Sequence, residues 1–213
     1  MGEIFIPVFK LIIKKYCNHN RTIMSPINDI EIINRVIEGD KEAFSIIVQK
    51  YQNMVFKYVY YQFNNYDEAL DITQDIFITV MEALQSFRQE SKFSTWLYSI
   101  MVNHCKNYRK KMNRYSTVSL KVMRGEDEVD LQLQDYRENP EDKVVNEDSI
   151  RIIKEEISKL PEDFKDILTL RDIDGLSYNE ISEILDINLS NVKVRIHRGR
   201  EYLKNRLHAR GLI

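Results

Sequence analysis

The residues best suited to chemistry lie between Phe87 and Lys111, in the stretch FRQESKFSTWLYSIMVNHCKNYRKK. An aromatic cluster (Phe87, Phe93, Trp96, Tyr98, Tyr108) runs into a basic end made of Lys106, Arg109, Lys110, Lys111 and then Arg114. Between Ser91 and Gly125 there are eight Lys or Arg and no acid. Aromatic rings stack on the faces of unpaired bases, and cations neutralise phosphates, so this interleaving suits a strand of nucleic acid whose bases are unstacked.

A second signal of a different kind lies near the C-terminus. Leu176 to Leu203 reads LSYNEISEILDINLSNVKVRIHRGREYL. Ser177 with Glu180 has the spacing of a capping box and predicts a helix start. Ile181, Ile184 and Leu185 form its apolar face, Asp186-Ile187-Asn188 a short turn, and Ser190 an N-cap for the next helix. Val192, Ile196 and Leu203 then face inward, and Asn191, Lys193, Arg195, Arg198 and Arg200 face outward. A short helix, a tight turn and a cationic second helix match a helix-turn-helix that lays its second helix in the major groove. A plain helical hairpin with a solvated basic face has the same pattern, and the turn lacks the expected Gly.

The remaining candidate is acidic. Asp67, Asp71 and Asp75 recur at i, i+4 and i+8 and line one helix face with no cation in that helix to pair with them. A solvated face and a docking surface for a basic partner both fit. A metal site fits less well, because no His or further carboxylate stands ready to complete the coordination.

The elements that position these residues read as helices throughout. The chain has 213 residues, with four Pro and six Gly, and no alternating β-type runs. Periodicity begins with Ile30, Ile33, Val36 and Ile37 and breaks at Gly39-Asp40. A longer run carries Ala43, Phe44, Ile47, Val48 and Tyr51 on to Val55, Phe56, Val59 and Tyr60. After Asn64-Asn65, Asp67 heads a third helix to about Leu84, and after a loop from Gln85 to Ser94 a fourth runs into the basic end. Residues 29–114 thus form a helical bundle, 115–148 a polar acidic linker and 149–213 a second small helical domain ending in the helix-turn-helix. The expected fold is all-α, two small helical domains joined by an acidic flexible linker.

The net charge of −2 conceals a partition. Glu126 to Asp148 carries ten acids against two bases, and Lys193 to Arg210 seven bases against one acid. Cys17 and Cys105 are too few for a disulfide framework and point to free thiols in a reducing cytoplasm. Residues 1–28 read as an N-terminal extension. Its apolar Ile4–Ile13 is too short to span a bilayer and lacks the features of a signal peptide. The segment fits either a true arm or a start codon placed ahead of a natural beginning at Met24.

Asp71-Ile-Thr-Gln-Asp-Ile-Phe77 followed by Phe93-Ser-Thr-Trp-Leu-Tyr-Ser-Ile-Met-Val-Asn103 resembles the promoter-melting half of bacterial sigma factors of the sigma-70 family, extracytoplasmic-function (ECF) subgroup. Leu160-Pro-Glu-Asp-Phe164, Leu176-Ser-Tyr-Asn-Glu-Ile181 and Val192-Lys-Val-Arg-Ile-His-Arg-Gly-Arg200 resemble that family's C-terminal domain. The resemblance spans about residues 35 to 207. It implies that Asp71, Gln74, Asp75, Phe77 and Ile78 dock on the beta-prime clamp coiled coil of core RNA polymerase. It implies that Phe87, Arg88, Phe93, Trp96 and Asn103 melt the minus-ten element and hold a flipped base, with Lys106, Arg109, Lys110 and Lys111 on phosphates. It places Ser190, Asn191, Lys193, Arg195, Arg198 and Arg200 on the minus-thirty-five element, Arg195 and Arg198 foremost at bases. The acidic linker would thread the polymerase's RNA channel. Asn107 departs from the acid the family often carries there.

The resemblance further implies a cytoplasmic transcription initiation subunit with no cofactor, no bound metal and no enzymatic activity. Its partners would be core polymerase, duplex and single-stranded promoter DNA, and an anti-sigma factor. A lone helix-turn-helix repressor would need a dimer interface or sensor domain and would leave the aromatic-basic segment unexplained. An enzyme would need a nucleophile and base, and His19, His104, His197 and His208 form no such constellation.

Overall fold

The computed structural model of the chain describes residues 28–118 and 147–211. The expected N-terminal arm, Cys17 and the core of the acidic linker lie outside the described residues. Every element described is helical, with no strand among the described residues.

Local capping sets where the helices begin. Helix α1 (Asp29–Ile37) starts at Asn28, whose side chain accepts from the Ile30 amide, with Asp29 and Glu31 in its first turn where the helix dipole favours acids. Its buried seam is Ile32 and Ile33, while Ile30 and Ile37 are exposed, so the apolar face is rotated from the expected one. Helix α2 (Ala43–Phe63) ends at Asn64 in the left-handed conformation (φ 54°), and Asn65 then caps α3 (Tyr66–Ala83) by accepting from the Glu68 amide. A 3-10 turn (Leu84–Ser86) and a loop lead to α4 (Phe93–Val118), which begins before the expected loop end at Ser94. Helices α1 to α4 close around Ile33, Ile47, Val55, Ile72, Ile76, Leu97 and Met101.

The second module comprises α5 (Glu147–Ser158), α6 (Glu162–Leu168) with a π-helical turn (Thr169–Ile173), α7 (Tyr178–Leu185) and α8 (Leu189–Ala209). Ser177 and Glu180 form the full capping box on α7. Asp186 adopts the left-handed conformation (φ 51°) in the turn, the role Gly usually has; its short polar side chain tolerates that geometry.

The second helix of the motif is capped by Asn188, not by Ser190: the Asn191 amide donates to Asn188 Oδ1 at 2.8 Å. The reason is burial. With the cap at Asn188, the positions that form a hydrophobic staple are Ile187 and Val192, and both pack on the core. A cap at Ser190 would put Leu189 and Val194 in those places, and both are exposed.

Gly199 lies where α8 crosses α6. A Cβ there would sit 3.3 Å from Leu168 Cδ1 and from Phe164 Cβ. The missing side chain therefore sets the distance between the two helices. Gly199→Val is expected to force them apart and destabilise the second module by about 1–3 kcal/mol, the usual penalty of overpacking. Chemical denaturation followed by circular dichroism checks this.

Candidate nucleic-acid interface

On α3, Asp71, Asp75 and Ile78 point outward and form one stripe, with Ile78 58% exposed and Gln74 half-buried at its edge. Among the described residues no Lys or Arg forms a salt bridge with Asp71 or Asp75. Phe77 does not join them: it is buried, edge-on to Phe44 with centroids 6.5 Å apart. The stripe continues through exposed Met81 and Glu82, which the same i+3/i+4 spacing predicts once Ile78 is placed on it. Tyr108 of α4 lies alongside. Its phenol is held above the usual range by burial and by Glu68, Asp71 and Asp75.

The aromatic cluster is a packed group rather than an open cradle. Phe87 and Phe93 lie 5.6 Å apart, each also within 5.6 Å of Trp96, and Tyr51 meets Phe93 edge-on at 5.3 Å. Phe87 and Phe93 are buried, and Trp96 is half-buried. Trp96, Asn103 and Lys110 recur every seven residues and so share a face of α4. Asn103, Lys110, Lys111 and Arg88 are exposed and Lys106 is half-buried. Cys105 is a buried free thiol, pushed up to about 12 by desolvation.

Arg109 departs from the rest of the basic run. It is only 9% exposed and its guanidinium turns away from solvent. Nη2 donates to Gln62 Oε1 at 2.7 Å and to Asp166 Oδ1 at 3.1 Å, and Nη1 lies 3.5 Å from a Glu162 oxygen. The Tyr58 hydroxyl donates to the same Asp166 oxygen at 3.1 Å, and Lys165 Nζ to the Gln62 carbonyl at 3.2 Å. Burial holds the Asp166 carboxyl above the ordinary range despite Arg109.

These contacts join the two modules, as α5 packs on α2 and α7 on α4. A second polar contact lies on the same seam, where Asp174 meets Lys57 Nζ at 3.4 Å and faces the Tyr98 hydroxyl. A third joins Lys92 of the loop before α4 to Glu180 at 3.1 Å.

On α8, Ser190, Asn191, Lys193 and Arg198 are exposed, with Val194 and His197 between them. Arg195 is half-buried and pairs with Asp163 at 3.2 Å. Arg200, expected to face outward, instead grips Asp172 through both Nε (3.0 Å) and Nη2, fastening α8 to the π-helical turn. Arg206 and Arg210 pair with Glu156 of α5, each through a single nitrogen. Among the described residues no helix is long and apolar enough to cross a membrane, and no group of three or more His, Cys, Asp or Glu is placed to hold a metal.

Comparison with known proteins agrees with this architecture. Residues 47–115 match the Sigma-70 region 2 model, and residues 150–203 the Sigma-70, region 4 model. The ECF RNA polymerase sigma-E factor of Haemophilus influenzae is 36% identical over 85% of this chain and 96% of its own length. That of Escherichia coli K12 is 36% identical over 85% of this chain and 95% of its own. The sigma factor RpoE of Bartonella quintana, solved with the anti-sigma factor NepR, shares the fold at TM-score 0.60 and 20% identity, over 78% of this chain and 96% of that one. CnrH, solved with the cytosolic domain of CnrY, does so at 0.58 and 19%, over 85% and 97%. The chain belongs to the sigma-70 family. Within it the chain is an ECF sigma factor, which directs RNA polymerase to promoters.

The seam makes stability pH-dependent. Asp174 has a side chain only 5% exposed and one oxygen, Oδ2, without a hydrogen-bond partner. Burial raises it from 3.8 to about 6 against the pull of Lys57 and Tyr98. The folded chain therefore holds a proton that the unfolded chain releases, and this contribution falls as pH rises from about 4 to about 6. At about 1.4 kcal/mol per pH unit, the shift corresponds to roughly 2–3 kcal/mol. Asp174→Asn is expected to remove it. Urea unfolding of both proteins at pH 4.5 and 6.5 should show the variant gaining relative to the parent at the higher pH.

Proposed function

We propose that this sigma factor divides its work between residues 29–114, which bind core polymerase and open the minus-ten element, and residues 149–213, which read the minus-thirty-five element. The observation that carries this reading is an unpaired acidic-apolar stripe on α3 in the same chain as exposed cationic faces on α4 and α8. Asp71, Asp75 and Ile78, with Gln74 at the edge, offer carboxylates around an apolar centre to the basic clamp coiled coil of the beta-prime subunit. Phe77 supports the stripe from inside.

On α4, Trp96, Asn103 and Lys110 meet the opened strand, with Arg88, Lys106 and Lys111 on phosphates. Phe87 and Phe93 act by backing Trp96. On α8, Ser190, Asn191, Lys193 and Arg198 enter the major groove, and exposed Val194 suits a thymine methyl. Arg195 joins them by exchanging Asp163 for DNA, since a surface pair whose carboxylate is exposed is worth only about 0–1 kcal/mol. Residues 115–148 supply the acidic tether between the modules. The protein acts in the cytoplasm and has no catalytic activity of its own; polymerase performs the chemistry. An anti-sigma factor is a fitting regulator, given the complexes in which its structural neighbours were solved.

The test is binding of labelled promoter DNA with and without core polymerase, with a base-sensitive fluorophore reporting strand opening. Opening is expected only with core. The double variant Asp71→Ala, Asp75→Ala should lose core binding and keep its helical content; undiminished core binding would sink the assignment. Tight duplex binding that core does not alter would instead mark a stand-alone repressor.

The two DNA faces should respond differently. Arg198→Ala is expected to relax preference at one promoter position, at about 1–3 kcal/mol. Lys110→Ala should weaken binding evenly across sequences and lower the salt dependence by about one phosphate contact. Competition titrations against single-position promoter variants at several salt concentrations separate the two.

A further inference from the structure

Helix α1 carries more apolar surface than the bundle covers. Ile32 and Ile33 are buried and Val36 is half-buried, but Ile30 and Ile37 remain 40% and 41% exposed. Residues seven apart lie close to one line of a helix, so these two isoleucines form a ledge about 10 Å long beside the buried seam. Glu31 and Glu38, also seven apart, form a second exposed row, with exposed Asn34 between the two. Neither glutamate has a salt bridge among the described residues, and Arg35, the one cation of α1, is held by Asp40 at 2.7 Å. The outer side of α1 is thus an apolar row flanked by an acidic row that nothing described neutralises.

The chain itself supplies a segment with the complementary pattern. Residues 4–13 are apolar except at Pro7 and Lys10. From Ile4 to Asn28 there are four cations, Lys10, Lys14, Lys15 and Arg21, and no acid. Neither polymerase docking nor promoter reading uses this segment. The fourteen residues from 14 to 27 reach at most about 46–50 Å when extended, whereas α1 is only about 13 Å long, so the apolar run can return along the helix it precedes. A segment tethered in this way meets its own α1 at an effective concentration on the order of millimolar. A ledge of two isoleucines is too small to hold a free partner, and that concentration suits it to a tethered one.

We propose that residues 4–13 turn back over the outer face of α1, seating apolar side chains on Ile30 and Ile37 and bringing Lys10, Lys14 and Lys15 to Glu31 and Glu38. The arm is the missing cover of the first helix. With the ledge covered, α1 no longer offers an apolar surface to other proteins, copies of this chain included. The contact is independent of how α3, α4 and α8 meet polymerase and DNA.

The test is thiol labelling in the full-length chain. With Cys17→Ser and Asn34→Cys, the one accessible thiol lies between the two rows of α1, because Cys105 is buried. Both isoleucines stay in place. Maleimide labelling, followed by mass spectrometry, is expected to be slow. Phe5→Ser with Phe9→Ser should speed it by about fivefold if the arm is seated in four chains of five. A thiol introduced as Gln49→Cys, exposed on α2, should react at one rate with either arm. Lys14→Glu with Lys15→Glu should also speed labelling at position 34, and adding Glu31→Lys with Glu38→Lys should slow it again.

Equal labelling rates with the native and the serine arm would overturn the contact. Protection that survives the serine arm and grows with protein concentration would give the ledge to a second copy and overturn it too. So would an unprotected thiol in a chain that vesicles of anionic phospholipid capture through the arm, since the arm would then be a lipid anchor.

Discussion

Burial of Arg109 against Asp166 is the constraint around which the two halves of this protein are arranged. Removing a guanidinium and a carboxylate from water costs several kcal/mol each, and mutual attraction offsets this only when the remaining donors and acceptors are also met. Tyr58 and Gln62 from α2 meet some of them, and Thr169 receives the Gln62 amide at a long 3.5 Å. Two of the guanidinium nitrogens are left unmet. The geometry therefore fixes one register of α6 against α2 and α4 while adding little net stability. On the same seam α7 packs on α4, with Lys92 meeting Glu180.

Within each module the opposite holds. The interiors are mainly apolar, and helix starts are defined by side-chain caps at Asn28, Asn65, Ser177 and Asn188. The helix-turn-helix is held rigid by the Asn188 cap, the staple of Ile187 with Val192 and the close approach at Gly199. A reading element needs this rigidity, because base contacts tolerate little displacement. The seam adds polar contacts to an apolar interior that runs through both modules.

Much of this was legible from residue patterns, for identifiable reasons. Helix type, order and approximate ends follow from apolar periodicity and from Asn, Ser and Gly punctuation. The capping box at Ser177 was readable to the residue. Asp186 in a left-handed turn was not, since its conformation is imposed by the packing of the helices on either side. The choice of Asn188 over Ser190 was decided by burial of Ile187 and Val192, which a list of good capping residues cannot weigh. The aromatic run was visible as a cluster, but its rings were expected to await a base, and Phe87 and Phe93 spend their faces on each other and on Trp96. Arg109 and Asp166 are separated by 57 positions, and Arg200 and Asp172 by 28, distances across which local patterns carry no information.

A run of cations in this chain is not a run of available cations. Of the seven bases between Lys193 and Arg210, four are engaged within the module: Arg195 with Asp163, Arg200 with Asp172, Arg206 with Glu156, and Arg210 with Glu155 and Glu156. Lys193, Arg198 and Lys204 form no ion pair among the described residues. Lys193 and Arg198 lie in the first half of α8, the part of a recognition helix that meets base edges. The paired arginines, concentrated toward its second half, bind α8 to α5 and to the π-helical turn. One helix thus carries two functions along its length: its end is anchored by neutralised charge, and its beginning presents the charge that remains.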